Sequence, residues 1–205
     1  RYEMTYDNFH EGADRIYLVR AHYANEPGTS KFTPYPLMKY LQDKMPEIEA
    51  VTAFTAHYVK FRMEDTEQEI GMIAADSVFM NFFDIQLLKG TVNFLKCDGQ
   101  EVAITKEFAK RLFSKEEDAL GKEVEVGRRV CKIGAIVSGW SNHSNIPYNI
   151  LAPARHSPQW GSSNEQLLIR VRERTDIDAF RTKMSTVCIN DIEKAVSYTH
   201  LRAHE

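Results

Sequence analysis

Nothing in this chain is long or apolar enough to cross a bilayer as a helix. About 20 consecutive apolar residues are needed for that, and the longest runs, such as residues 133–137, stop at strand length. There is no block of lysine and arginine either. The 26 basic residues are spread against 29 acidic ones for a net charge of −3, a balance that disfavours nucleic acid or an anionic lipid surface as partner. Cysteine is scarce: Cys97, Cys131 and Cys188 stand far apart, with no CxxC and no histidine at ligand spacing. That spacing reads as buried thiols behaving as small hydrophobes. One disulfide stays open, although an odd count argues against a disulfide framework. No Gly-rich phosphate loop, GxSxG, HExxH or EF-hand pattern occurs, so neither a cofactor nor a metal is expected. A secretory leader is also missing, and the first residue is Arg1; the chain reads as a piece excised from something longer.

What is present is the composition of a globular protein, 43% hydrophobic and 27% charged over 205 residues. That length suffices for one large domain or two small ones, burying about 70% of the unfolded surface. Phe9, Ala13 and Ile16 lie at helical spacing behind Asp7 or Asn8 as cap, and residues 16–21 continue as a strand. Pro34 and Pro36 open a helix carrying Leu37, Tyr40, Leu41, Lys44 and Met45, and Pro46 ends it. Residues 47–64 are rich in Val, Thr, Tyr and Phe and predict a long strand with Val51, Ala53, Thr55, His57, Val59 and Phe61 on one parity. Strand, helix, strand make a βαβ unit. A further strand over 70–75 runs into the stretch 73–90, "IAADSVFMNFFDIQLLKG". There Asp76 or Ser77 caps a short helix with Phe79, Phe82 and Phe83 at i, i+3 and i+4. Gly90 and residues 96–100 are expected as loop.

Residues 101–113 predict strand then helix, with Phe108, Leu112 and Phe113 inward and Lys106, Lys110 and Arg111 solvated. Residues 119–137 predict a hairpin turning at "GRR". A loop over 138–149, strands at 150–154 and 165–173, and a helix capped by Asp176 follow. That helix carries Ile177, Phe180, Met184, Val187 and Cys188 on one face. The strand that would close this second βαβ falls where residues 197–205, "SYTHLRAHE", stand. His200 and His204 are four apart there, but no carboxylate or cysteine completes a ligand set. The stretch resembles translated adaptor DNA and is set aside as a non-native tail.

Candidates for chemistry are few. Asp76 with Asp84, or Glu47 with Glu49, could pair for acid–base work, which needs one carboxyl buried beside a cleft. Capping accounts better for Asp76. Ser141, His143 and Ser144 crowd one polar loop without an orienting acid, which reads as turn chemistry. His57 reads as a solvated strand residue. No catalytic residue is assigned.

Six segments occur here in register: "YDNFHEGADRIYLV", "YPLMKYLQDKMPEIEAVT", "AADSVFMNFFDIQLLKG", "VAITKEFAKRLF", "ALGKEVEV" and "KIGAIVSGWSNHSNIPYNILAP". Together they resemble the MacB-like periplasmic core domain of FtsX-type ABC transporter permeases, up to about residue 195. Ala75, Asp76, Phe79, Phe82, Phe83, Leu87, Leu88 and Gly90 match that family's signature, taken as structural. Ser114 stands where the family often has glycine. The resemblance implies an α+β fold: a porter-like βαβ subdomain (residues 1–60 plus 140–195) interrupted by a second, mainly β subdomain (61–139). It implies a non-enzymatic, extracytoplasmic domain of an inner-membrane protein. Such a domain couples ATP hydrolysis by a cytoplasmic ATP-binding subunit to periplasmic movement, with a periplasmic adaptor and a permease homodimer as further partners. Connections at 61–66 and 138–149 are the expected hinges, and Trp140 and Trp160 the expected partner contacts. The alternative is a freestanding extracytoplasmic ligand-binding or sensor domain, which predicts a concave apolar pocket with a few convergent polar groups.

Overall fold

The structure, a computed structural model, describes residues 2–6, 15–22, 27–96, 100–139 and 148–187. Among the described residues strands dominate and four short α-helices accompany them, an α+β fold. Two compact units divide the chain. One is built on Arg15–Val51 and the chain from His156 onward; the other is Thr52–Arg155, inserted within the first.

In the flanking unit, β1 (Tyr2–Tyr6) pairs antiparallel with β2 (Ile16–Ala21). β2 pairs antiparallel with β11 (Ser163–Val171). The two-residue β3 (Thr33–Pro34) also pairs with β11, across a bulge at Ser163/Glu165. α1 (Pro36–Lys44) starts with Pro36 in its first turn, where a missing N–H costs nothing. It buries Leu37 and Leu41 and leads into β4 (Ile48–Met63). The end of β11 meets the starts of both β2 and β4: Arg170 registers with Ile16, and the Arg172 N–H donates to the Glu47 carbonyl at 2.8 Å. β2 and β4 therefore run the same way with β11 between them, a split βαβ. Charges fasten these ends. Arg15 donates to Glu49 at 2.5 Å and to the Val171 carbonyl at 3.0 Å. On α4 (Ile177–Ser185), capped by Asp176, Lys183 holds Glu47 at 2.7 and 2.9 Å. Phe180, Met184 and Val187 form the buried face of that last helix and its end.

The inserted unit closes on itself. β4 pairs antiparallel with β5 (Thr66–Ala75) from Thr55↔Ala74 to Met63↔Thr66. β5 pairs parallel with β10 (Ile150–Pro153), β10 antiparallel with β7 (Glu101–Thr105), and β7 parallel with β9 (Arg129–Val137). β9 forms a hairpin with β8 (Glu123–Val126), and β8 returns to β4 through Phe61↔Val126 and Arg62↔Glu125. The result is a closed ring of strands, a small barrel. β6 (Leu87–Gly90) hangs outside the ring on β9. α3 (Lys106–Leu112), whose N-terminus Thr105 caps through its hydroxyl, plugs one end. Phe108 from α3 meets Phe61 edge-on at 5.1 Å, among Ile70, Ile104, Ile133 and Ile150.

Several expectations change. Residues 7–14, assigned to a helix above, lie outside the described residues, as do Cys97, Cys188, residues 140–147 and the tail. Pro34 belongs to β3, not to the helix. Residues 61–63 are register-locked in β4 and residues 64–65 form its turn into β5, so the expected hinge at 61–66 is a hairpin inside one unit. Residues 87–90 form the edge strand β6, where Gly90 had been expected as loop. Both the 60/61 junction and the observed division at Val51/Thr52 fall within the single strand β4.

Candidate functional site: a signature helix and a cavity in the barrel mouth

The residues expected as a signature lie at the end of β5, on or capping α2 (Ser77–Phe82) and on β6 of the inserted unit. Ala75 ends β5 and is fully buried. Asp76 adopts extended backbone, and its carboxylate accepts the N–H groups of Val78 and Phe79 at 2.9 and 3.1 Å, capping α2. A cap of this kind satisfies two donors that the first turn cannot. Phe79 and Phe82 are helical and Phe83 is the C-terminal cap. Their rings, with Phe54 of β4, make one cluster: Phe79 lies 5.3 Å from Phe54 and 4.8 Å from Phe83, and Phe82 lies 5.0 Å from Phe83. These are tilted and edge contacts, favourable for aromatic quadrupoles. Gly90 sits at φ +84, and a Cβ there would meet the Gly134 carbonyl oxygen at 2.2 Å. Leu87 and Leu88 depart from this pattern; they are 39% and 44% exposed on the edge strand.

The expected chemistry does not assemble. Glu47 and Glu49 are drawn to different cations, Lys183 and Arg15, and the Lys183 hydrogen bond holds the Glu47 carboxyl below its ordinary range. Asp76 is occupied as a cap, and Asp84 is exposed in a turn at φ +52. Ser141, His143, Ser144 and Trp140 lie outside the described residues. Trp160 stands half-buried in a turn of the flanking unit. No cluster of metal-ligating side chains occurs among the described residues. Cys131 is buried in the barrel; desolvation pushes its thiol up to about 11, and its S–H faces the Val124 carbonyl at 3.8 Å.

The mouth of the barrel, opposite α3, holds a cavity of about 410 Å³. Every strand of the ring contributes: Val59 from β4, Met72 from β5, Val102 from β7, Val126 from β8, Cys131 from β9 and Ala152 from β10. Rings of about eight strands leave an interior just filled by side chains, so a void in a smaller ring needs the wall to part. It parts at the seam. The β4–β8 ladder ends where the Gly127 N–H donates to the Lys60 carbonyl at 2.7 Å, and the hairpin then turns away from residues 55–59 of β4. His57, Arg128, Arg129 and Arg155 line the opening, and among the described residues no carboxylate does. The sequence signals for this site were "GRR" and the odd parity of β4, which named a turn and a face but not the opening between them.

The profile of a family described as MacB-like periplasmic core domain matches residues 3–187. No curated protein matches the chain. Among solved structures, a domain assigned to a permease protein from Porphyromonas gingivalis is similar with a TM-score of 0.65 at 21% identity, covering 81% of this chain and 79% of that one. The extracellular domain of the noncanonic ABC-type transporter YknZ from Gram-positive bacteria gives 0.57 at 16% identity, with 75% and 79% covered. The periplasmic region of MacB from Actinobacillus actinomycetemcomitans gives 0.59 at 11% identity, with 90% and 93% covered. At these identities the likeness is one of fold. Among the described residues no helix is long and apolar enough to cross a membrane.

Proposed function

The chain belongs to the MacB-like periplasmic core domain family, and from that premise we propose that it is the extracytoplasmic domain of an FtsX-type ABC transporter permease in a cell inner membrane. In this reading the domain performs no chemistry. It carries movement driven by a cytoplasmic ATP-binding subunit outward, and it docks partner proteins during export. A periplasmic adaptor and a second permease copy are the proposed partners. The observation that carries the reading is the extent of the family match, which runs through both compact units. In this reading Asp76, Phe79, Phe82, Phe83 and Gly90 serve structure, as cap, aromatic cluster and close glycine. Trp160 is the proposed contact, since half-buried aromatics anchor interfaces.

The test uses the full-length permease with its ATPase in membranes. Removing the segment corresponding to this chain should leave ATP hydrolysis measurable and abolish export. Trp160→Ala should reduce export while the domain stays folded. Export that survives both changes would refute coupling and docking alike. The cavity favours a second reading, a freestanding ligand-binding or sensor domain. Sequencing the source gene on both sides decides between them: apolar helices of about 20 residues point to the permease, a secretory leader and a stop codon to the freestanding protein.

A further inference from the structure

The geometry points to a ligand site in the barrel mouth for a small anionic amphiphile, a single acidic head on a short acyl or aryl group. This goes beyond the coupling role and does not depend on it. Four observations carry the inference. The void of about 410 Å³ falls within the range of pockets that hold small ligands, about 300–1,000 Å³. Its floor is apolar: Val59, Met72, Val102, Val126 and Ala152 present hydrocarbon or thioether surface, and Cys131 adds a neutral thiol. Its rim is basic, with Arg128 and Arg129 at the hairpin turn, and among the described residues no carboxylate lines it.

The fourth observation is contrast. In a chain whose net charge is −3, other arginines already engage acids: Arg15 holds Glu49, and Arg62 holds Glu67 and Glu125. Among the described residues no carboxylate pairs with Arg128 or Arg129. Two guanidinium groups beside an apolar floor select a head that accepts hydrogen bonds as an anion and a tail that leaves water. A cation of equal tail length meets repulsion at the same rim, and an anion without a tail leaves the floor unfilled.

The experiment titrates decanoate into the 205-residue chain and follows the Met72 and Val102 methyl resonances by NMR, with calorimetry for affinity. Saturable shifts at those methyls are expected, weakening with added salt. The Arg128→Gln/Arg129→Gln double variant alters only exposed turn and strand-end positions and should bind about tenfold more weakly, the sum of two modest charge contacts. Ala74→Trp, placing a ring in the mouth, should abolish the shifts. The inference is overturned if decylammonium binds as well as decanoate, which would mean nonspecific apolar uptake. It is equally overturned if inorganic phosphate matches decanoate, if the double variant binds unchanged, or if the methyls do not move at millimolar decanoate. Loss of export in the permease with decanoate binding intact, or the reverse, separates this site from the coupling role.

Discussion

Gly90 and Gly127 both adopt positive φ, +84 and +65, but their surroundings differ. Replacing each with alanine isolates the cost of one close backbone approach. At Gly127 an added Cβ meets nothing within 4 Å, so only the left-handed conformation is penalised, about 1–2 kcal/mol. At Gly90 the same penalty applies, and the Cβ would also lie 2.2 Å from the Gly134 oxygen and 2.8 Å from the Ala135 Cα. Both are backbone atoms of β9 and neither can rotate aside. Strand β6 must lift, straining the Thr91 N–H to Gly134 carbonyl bond at 3.2 Å and the Gly90↔Ala135 register. Overpacking of this kind costs about 1–3 kcal/mol, and each weakened hydrogen bond about 1 kcal/mol. Gly90→Ala should therefore lose about 3–6 kcal/mol, at least about 2 more than Gly127→Ala. Both changes stiffen the unfolded chain alike, so that effect cancels in the difference. Urea unfolding followed by circular dichroism measures it, with the slope checked for constancy. Equal losses in the two variants would show that β6 does not need its approach to β9.

Phe79→Ala should cost about 3–5 kcal/mol in the same assay, because the fully buried ring is shared with Phe54 and Phe83 and cavities of that size collapse poorly; a loss under 1 kcal/mol would contradict the aromatic cluster. Glu47→Gln should lose about 1 kcal/mol or less at pH 7, as for a largely solvated pair with Lys183. The Glu47 carboxyl is lowered from 4.5 in the fold, so the contribution is full above that value and disappears as pH falls through the lowered one. Variant and parent should converge by strongly acid pH, and a gap that persists there would assign the loss to packing. In a chain with Cys97 and Cys188 changed to serine, Cys131 should alkylate about a hundredfold more slowly at pH 8 when folded than when unfolded, since burial raises its thiol from 9.0 to about 11. Equal rates would place the thiol in water.

Local rules made much of this fold legible. Asp76 and Asp176 cap helices where side-chain chemistry alone says they should, and the "GRR" turn and the long β4 follow from turn residues and β-branched composition. The strands that escaped are short or depend on distant partners. β3 carries too few residues to show a period, and β6, whose Gly90 reads as loop, becomes a strand only through its pairing with β9, some way along the chain. Ring closure was invisible for the same reason. Arg62 and Glu125 are 63 residues apart, and no local window contains both. The cavity lies beside that short pairing, so its lining could not be assembled from the sequence, although the reading of the cysteines as buried thiols holds for Cys131.

The closed ring also orders events during synthesis. Its strands all come from one uninterrupted stretch, Thr52–Arg155, so nothing it needs is still unmade when Arg155 has emerged. The flanking unit cannot complete its sheet until β11 follows. Domains usually mature from the N-terminus as the chain appears. Here the opening segment waits, unpaired with β11, while the later barrel folds first. A chain truncated after Arg155 should already show a cooperative barrel transition, and its absence would mean that the two units mature together.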